Sequence, residues 1–178
     1  MSYTYVPGRE EIAVTTETPG SPPRGSTYLD HHSTSGIRKY RYVYNAHSAS
    51  RAAGLPCFYD YTAATYCGLQ VKQAATGNLS HFAGIHVETV TSGAWCWILT
   101  EGYYPSAVTR CYGSATNADL TALAYLTGIN GIDALVYEAA ADAAPPGSGY
   151  CINLASMASS SASSITATQA VYVFGTVR

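Results

Sequence analysis

Five cysteines and five histidines are the residues with which this chain could bind a metal or form a nucleophile. A zinc site needs ligands that converge tetrahedrally, and local pairs usually have the spacing Cys-x2–4-Cys or His-x3–5-His. His81 and His86 fit the second spacing, whereas Cys57 and Cys67 are ten positions apart. On a strand, two residues five apart also lie on opposite faces. We therefore expect no metal site.

A cysteine paired with a histidine is the other chemistry to consider, with Cys57 or Cys96 as the nucleophile. Any chain with five of each offers such pairs on paper. The sequence contains no G-x-S-x-G motif, no phosphate-binding glycine loop and no carboxylate pair at a meaningful spacing. We therefore expect no enzyme activity and no cofactor, with the cysteines serving as small buried apolar side chains. A cysteine hydrolase is kept as an alternative, and disulfides are the alternative for the cysteines if the protein sits on a particle outside the cell.

The composition favours contact with other proteins over chemistry. Charged residues make up 11% of the chain, against about 25% in an ordinary soluble domain. The chain also holds 16 tyrosines, which bury a large area at low cost in rotamer entropy and keep a polar tip. A net charge of −2 gives no reason to expect nucleic acid as a partner. No apolar run has the length of a transmembrane helix, so we expect no membrane partner either.

Residues 1–36 are rich in proline, glycine, serine and threonine. Because proline neither continues a helix nor donates to a strand ladder, this range is predicted to be an extended docking arm with one short strand from Glu11 to Glu17. A disordered tail is the alternative, and an arm that becomes ordered on a partner satisfies both interpretations. The first 30 residues have no apolar signal-peptide core, so we expect folding in a reducing cytosol.

Residues 37–178 are predicted to form the body of the protein. Tyr40, Tyr42 and Tyr44 alternate with Arg41 and Val43, the period of a strand with one aromatic face. Short apolar runs separated by turn residues follow, and they predict strands at Cys67–Gln73, Phe82–Val90, Ala94–Thr100, Ala107–Tyr112, Leu135–Ala139, Tyr150–Leu154 and Ile165–Val177. Many short strands indicate an all-β fold, a compact barrel or sandwich. At most one or two short helices are expected, at Ser48–Gly54 and at Asn117–Leu126, the latter being a helix or a strand.

Two tryptophans mark the most apolar of these strands. Trp95, Trp97 and Leu99 point to one face, and the residues between them, including Cys96, are also apolar. The strand is therefore either central in the core, or has core on one face and a contact surface on the other. An aromatic platform for sugars is disfavoured, because acids and amides that would bind sugar hydroxyls are not clustered nearby.

The stretch from Gln73 to Val108 resembles the central hairpin of small decoration (cement) proteins on the heads of tailed bacteriophages. The matching residues are Phe82-Ala83-Gly84-Ile85, then Gly93-Ala94-Trp95-Cys96-Trp97-Ile98, Gly102 and Val108, with Gly54–Asp60 similar to the loop that leads into that hairpin. The resemblance implies a compact β-barrel on the outer surface of the head. It also implies a homo-oligomer, with a trimer favoured, that clamps adjacent subunits of the major capsid protein.

Composition and resemblance together predict a structural virion protein, assembled in the host cytoplasm and located on the capsid surface. The alternative is a receptor- or glycan-binding fibre or adaptor module of the virion, with exposed tyrosines and Trp97 as stacking surfaces. For either role we expect the contact surface to draw on aromatic and apolar residues, namely Tyr3, Tyr5, Ile12, Val14, Tyr28, Tyr40, Tyr42, Tyr44, Trp97, Tyr103 and Tyr104.

Overall fold

The computed structural model describes residues 21–32, 36–61, 65–73, 82–112, 125–128, 134–138, 151–154 and 165–174. Within these residues the secondary structure consists of strands, turns and bends without a helix, which confirms the predicted all-β class. The strands are β1 (Thr27–His32), β2 (Gly36–Asn45), β3 (Pro56–Tyr59), β4 (Gln70–Lys72), β5 (Phe82–His86), β6 (Trp95–Tyr112), β7 (Tyr125–Gly128), β8 (Leu135–Glu138), β9 (Cys151–Asn153) and β10 (Ile165–Phe174).

The β1–β2 hairpin corrects the predicted limit between arm and body. Thr27–His32 fall within the range assigned to the arm, yet they pair antiparallel with β2 along their whole length, from Thr27 opposite Arg41 to His32 opposite Gly36. The alternation of Tyr28 and Asp30 with Leu29 and His31 supplies the period of a strand. The sheet therefore begins before residue 37, and the predicted strand from Glu11 to Glu17 lies outside the described residues.

Strand β6 joins two segments that the sequence predicted as separate strands. Its 18 residues run through Gly102, which separated the two predicted strands, and through Pro105. Two irregularities absorb them, one beside Thr100 in the pairing with β2 and one between Tyr104 and Ala107 in the pairing with β10. Extra residues of this kind bend a strand without ending it, so one long strand replaces the two predicted strands Ala94–Thr100 and Ala107–Tyr112.

The first half of β6 closes a ring of five strands, in the order β2-β4-β3-β5-β6 and back to β2. The pairing of β2 with β4 is parallel, and the other four pairings are antiparallel. Pro56 occupies the first position of β3, where its missing N–H removes little from the ladder. The sequence pattern does not predict this strand, because Gly54–Asp60 resembles a loop.

The second half of β6 closes another ring of five strands, β6-β8-β7-β9-β10 and back to β6. In this ring too, the first and third strands along the chain, β6 and β8, pair in parallel and the other four pairings are antiparallel. Position for position, the two rings have the same strand order and the same strand directions. The last strand of the first ring is the first strand of the second, an internal repeat that the sequence did not reveal.

Two clusters of buried side chains stabilise these rings. One draws on all five strands of the first ring and contains Val43, Cys57, Tyr59, Val71, Ala83, Val90, Ala94, Cys96 and Ile98. The other joins the opposite faces of β2, β3, β5 and β6 to the second ring, and contains Tyr40, Tyr42, Phe58, Phe82, Ile85, Trp95, Trp97, Leu99, Ala107, Leu135, Val171 and Val173. Both faces of the first half of β6 are thus buried, so the central position that its sequence allowed is the one it occupies.

Other local predictions had mixed outcomes. Strands lie within the predicted ranges Phe82–Val90, Leu135–Ala139, Tyr150–Leu154 and Ile165–Val177, and the predicted strand at Cys67–Gln73 is shortened to Gln70–Lys72. The expected helical turn at Ser48–Gly54 is wrong, since bends, a turn and an isolated bridge from Arg51 to Val90 occupy this range. Of Asn117–Leu126, only Tyr125 and Leu126 are described, and they lie in β7.

Candidate functional site

The predicted contact residues of β2 and β6 form an aromatic ladder within the chain. Tyr42 lies opposite Trp97 and Tyr44 opposite Trp95 on adjacent strands. The ring centroids of Tyr42 and Trp97 are 5.2 Å apart, and those of Tyr44 and Trp95 are 5.6 Å apart. Cross-strand aromatic pairs at this spacing stabilise a sheet beyond their buried area. The alternation of tyrosines in β2 therefore serves the pairing of the sheet.

Other elements cover this ladder. At one end Tyr28 of β1 stacks on Tyr40 at 6.1 Å and meets the edge of Trp97 at 6.4 Å. As a result Tyr40, Tyr42 and Trp97 are 5%, 1% and 4% exposed. These three belong to the core of the chain as it folds, contrary to their predicted place on a contact surface. A ring so deeply buried also offers no face for a sugar to stack on, which removes Trp97 from the glycan-binding alternative.

The other end of the ladder is closed by a turn and a cation. Tyr66, with a positive φ of 58°, packs on Tyr44 at 4.9 Å and on Trp95 at 5.2 Å. The guanidinium of Arg24 lies 4.8 Å from the ring centroid of Tyr66 and 5.3 Å from that of Trp95. A non-glycine residue with positive φ is held against a backbone preference, and here aromatic and cation–π contacts hold it. Tyr44 is half-buried for this reason.

The remaining predicted contact residues fall into two groups. Tyr28, Tyr103 and Tyr104 are half-buried, and the hydroxyl of Tyr104 donates a hydrogen bond to the carbonyl of His86 at 3.4 Å. Burial raises the pKa of the Tyr104 phenol above its usual value. Tyr3, Tyr5, Ile12 and Val14 lie outside the described residues.

The described part exposes large apolar residues that are not among those predicted, and four of them lie on β1, β2 and β10. Leu29 and Ile37 of the β1–β2 hairpin are 53% and 56% exposed, and Tyr172 and Phe174 of β10 are 37% and 45% exposed. A signal for the second pair was present, because Val171 and Val173 alternate with Tyr172 and Phe174. Such an alternation with apolar residues on both faces predicts an apolar outer face.

The structure does bring one cysteine and one histidine together. Sγ of Cys96 lies 3.8 Å from Nδ1 of His86, and both side chains are almost fully buried. Burial raises the pKa of the Cys96 thiol to about 12. Burial, together with the charge of Arg51 and the proximity of His47, lowers the pKa of His86 to about 3. The proton therefore stays on sulfur, and both groups are neutral at neutral pH.

Cys57 shows the same behaviour. Its thiol donates a hydrogen bond to the carbonyl of Gly84 at 3.4 Å, and burial raises its pKa well above the usual value. A nucleophilic cysteine needs a lowered pKa and access for a substrate, and neither Cys57 nor Cys96 has them. Their predicted role as small buried side chains is confirmed, whereas Cys67 is exposed. The side chains of Cys111 and Cys151 lie outside the described residues.

The described part of the chain contains neither a cluster of metal-ligating side chains nor a helix that could span a membrane. Over those ranges, no three His, Cys, Asp or Glu side chains come together to hold a metal ion, while His81, a candidate zinc ligand, lies outside them. The same ranges contain no helix long and apolar enough to cross a bilayer.

Comparisons with known proteins add no relative. No protein-family model matches the sequence, and a search of curated proteins finds no match either.

Proposed function

We propose that this chain is a structural virion protein, a decoration protein that binds the outer surface of a phage head and stabilises contacts between major capsid subunits. The observation that carries the proposal is the charge-poor, tyrosine-rich composition, with 11% charged residues and 16 tyrosines. The stretch that resembles phage cement proteins supports it. That stretch includes β5 and the first half of β6, where the first ring closes.

The fold supplies a rigid scaffold for such a role. Two closed rings that share β6 expose few strand edges, and their cores are packed on both faces of that strand. Apolar contacts on a capsid gain about 25 cal/mol per Å² of buried area, and residues 1–20 are proposed to add a strand to a sheet edge of a neighbour. Repetition over a capsid lattice multiplies a modest affinity at each site.

The buried cysteine–histidine pair supports a structural role over hydrolysis. A thiol whose pKa is raised to about 12 beside an imidazole whose pKa is lowered to about 3 supplies no thiolate at neutral pH. Replacement of Cys57 and of Cys96 by alanine is expected to lower stability and to leave binding to capsids unchanged.

The test is co-sedimentation with phage heads purified from a phage in which the gene is disrupted. The full chain is expected to bind saturably, with a number of bound copies comparable with the number of major capsid subunits. A chain lacking residues 1–20 retains all ten strands, so it is expected to fold and to bind more weakly. No binding by the folded full chain contradicts the proposal, and equal binding by both forms removes the arm from it. A clear hit on a glycan array by the full chain supports the fibre or adaptor alternative instead.

A further inference from the structure

Four adjacent strands carry a row of side chains that belong to neither of the two buried clusters. Leu29 of β1 lies opposite Lys39 of β2, and Lys39 lies opposite Glu101 of β6. Glu101 in turn lies opposite Phe174 of β10. Directly opposed residues on neighbouring strands point to the same face of a sheet. The four residues Leu29, Lys39, Glu101 and Phe174 therefore form one line across the sheet, which we call the outer row.

The surroundings of the outer row are apolar as well. Ile37 lies two residues before Lys39, and Tyr172 lies two residues before Phe174 and opposite Tyr103. Six large apolar side chains are exposed in the described part of the chain, and Leu29, Ile37, Tyr172 and Phe174 are four of them. Scattered exposed apolar residues need no explanation, but a contiguous patch marks an interaction site.

The order of side chains along the outer row points to one kind of partner. It runs apolar, positive, negative, apolar, so it is its own complement when reversed. A two-fold axis parallel to the strands, placed between β2 and β6 in the plane between two facing copies, reverses the row. Lys39 then faces Glu101 of the other copy, and Leu29 faces Phe174 of the other copy. In an isologous contact of this kind, every pair of contacting residues occurs twice in the interface.

We propose that the outer row is the centre of a two-fold contact between two copies of this chain. This inference does not depend on the proposed role in a capsid. Two apolar contacts provide the attraction, and two cross-copy ion pairs at half-exposed positions fix the register more than they add affinity. The contact differs from the trimer that the resemblance implies, because a two-fold axis closes at two copies.

A patch of two short rows is small beside the roughly 800 Å² per partner of a standard stable interface. We therefore expect weak association, detectable by sedimentation velocity over a concentration series up to about 1 mM, where a contact of about −4 kcal/mol half-saturates. The expected species has the mass of a dimer. Phe174→Ser combined with Leu29→Ser removes both apolar contacts and is expected to abolish the dimer.

The decisive experiment uses two charge reversals. Lys39→Glu places like charges against each other in its own dimer, and Glu101→Lys does the same with positive charges. Each variant alone is expected to associate about tenfold more weakly than the parent chain, because two attractive pairs become repulsive. In a mixture of the two variants, every facing pair is again of opposite charge. Mixing is therefore expected to restore the dimer as a heterodimer.

A matched control is Tyr61→Ser, which removes a large exposed ring outside the patch (51% exposed) and is expected to leave association unchanged. Far-ultraviolet circular dichroism of each variant verifies its fold. A parent chain that remains monomeric over the whole series overturns the proposal, as does a trimer mass. Mixed variants that associate no better than each alone also overturn it. If the parent chain is monomeric and the charge variants lose binding to capsids, the outer row contacts the capsid instead of a second copy.

Discussion

The two rings have one topology, but their strands bury different kinds of side chain. In the first ring, strands β2 and β6 bury an aromatic ladder on one face and small side chains such as Val43 and Cys96 on the other. In the described part of the second ring, the buried side chains are aliphatic or small, among them Ala107, Leu135, Val171 and Val173. Identical strand order therefore does not require buried side chains of similar size. Strand pairing determines the path of the chain, and the elements that pack on each face determine which side chains fit there.

The largest effect is expected from the aromatic side of this comparison. Trp97→Ala removes a ring that contacts both Tyr42 and Tyr28, and such truncations cost about 3–5 kcal/mol in the free energy of unfolding. The matched change in the second ring, Val173→Ala, removes two buried methyl groups at about 0.8 kcal/mol each. Urea denaturation measures both. Equal losses would show that aromatic and aliphatic members of the shared cluster contribute alike.

The second prediction is that the two rings unfold together, in one transition. Leu135 of β8 is fully buried in the cluster that also contains both tryptophans of the first ring. Leu135→Ala is expected to cost about 2–5 kcal/mol. Because the cluster is shared, tryptophan fluorescence and circular dichroism are expected to report the same lowered midpoint. A fluorescence midpoint equal to that of the parent chain would indicate two independent units.

The third prediction concerns the point at which β6 passes from one ring to the other. Gly102 has a φ of 109°, and a Cβ there would lie 2.6 Å from the carbonyl oxygen of Ile37. Gly102→Ala is expected to cost about 2–3 kcal/mol from backbone strain and crowding.

Gly36 is the matched control, since its φ is 71° and the space around a Cβ there is open. Gly36→Ala is expected to cost about 1 kcal/mol from backbone strain alone. Similar losses for the two alanine variants in chemical denaturation would exclude crowding at residue 102.

The fourth prediction concerns the pH dependence of stability that the buried His86 causes. Burial lowers the pKa of His86 to about 3, whereas a histidine in an unfolded chain titrates near 6.5. Between these values the unfolded chain binds a proton that the native chain does not, so the free energy of unfolding falls as the pH falls. The slope from this group is up to about 1.4 kcal/mol per pH unit.

Comparison with His86→Gln isolates this contribution from that of the carboxyl groups. Stability is measured from about pH 7 to about pH 5, above the range in which most carboxyl groups titrate. The parent chain is expected to lose stability faster than the variant. The imidazole resonances of His86 in the parent chain provide a second measurement. Titration near pH 6.5 would contradict a buried, neutral ring.

The smallest effect is expected at the closed end of the ladder. Arg24→Ala removes the cation above Tyr66 and Trp95, and an exposed cation–π contact contributes about 0.5–1 kcal/mol. Arg24→Lys keeps the charge and loses the planar stacking, so an intermediate stability is expected. Thermal denaturation of the three chains compares them. A lysine variant as destabilised as the alanine variant would assign the effect to stacking rather than to charge.

Sequence patterns predicted strands wherever local alternation and turn residues agreed, as at Leu135–Ala139 and Ile165–Val177. They failed where a local signal was overridden by pairing. Gly102 suggested a break, but β6 runs through it, and Gly102 stays paired with Val173 of β10. Pro56 suggested a loop, but it starts β3.

The candidate contact surface was harder to predict. Alternation places Tyr40, Tyr42 and Tyr44 on one face of β2, but it does not say what covers that face. The cover comes from Tyr28 in the range assigned to the arm and from Tyr66 in a turn. Both are distant in sequence, so burial of the ladder depends on tertiary contacts that a local pattern does not contain.

Because β6 belongs to both rings, it determines how many strands a further ring of the same architecture would need. Because the final strand of one ring serves as the opening strand of the next, the second ring adds only four new strands, β7 to β10. In the second ring β10 holds the position that β6 holds in the first. Each further ring of this architecture would need four more strands and a lengthened final strand in the ring before it. The result would be a row of rings in which each neighbouring pair shares one strand.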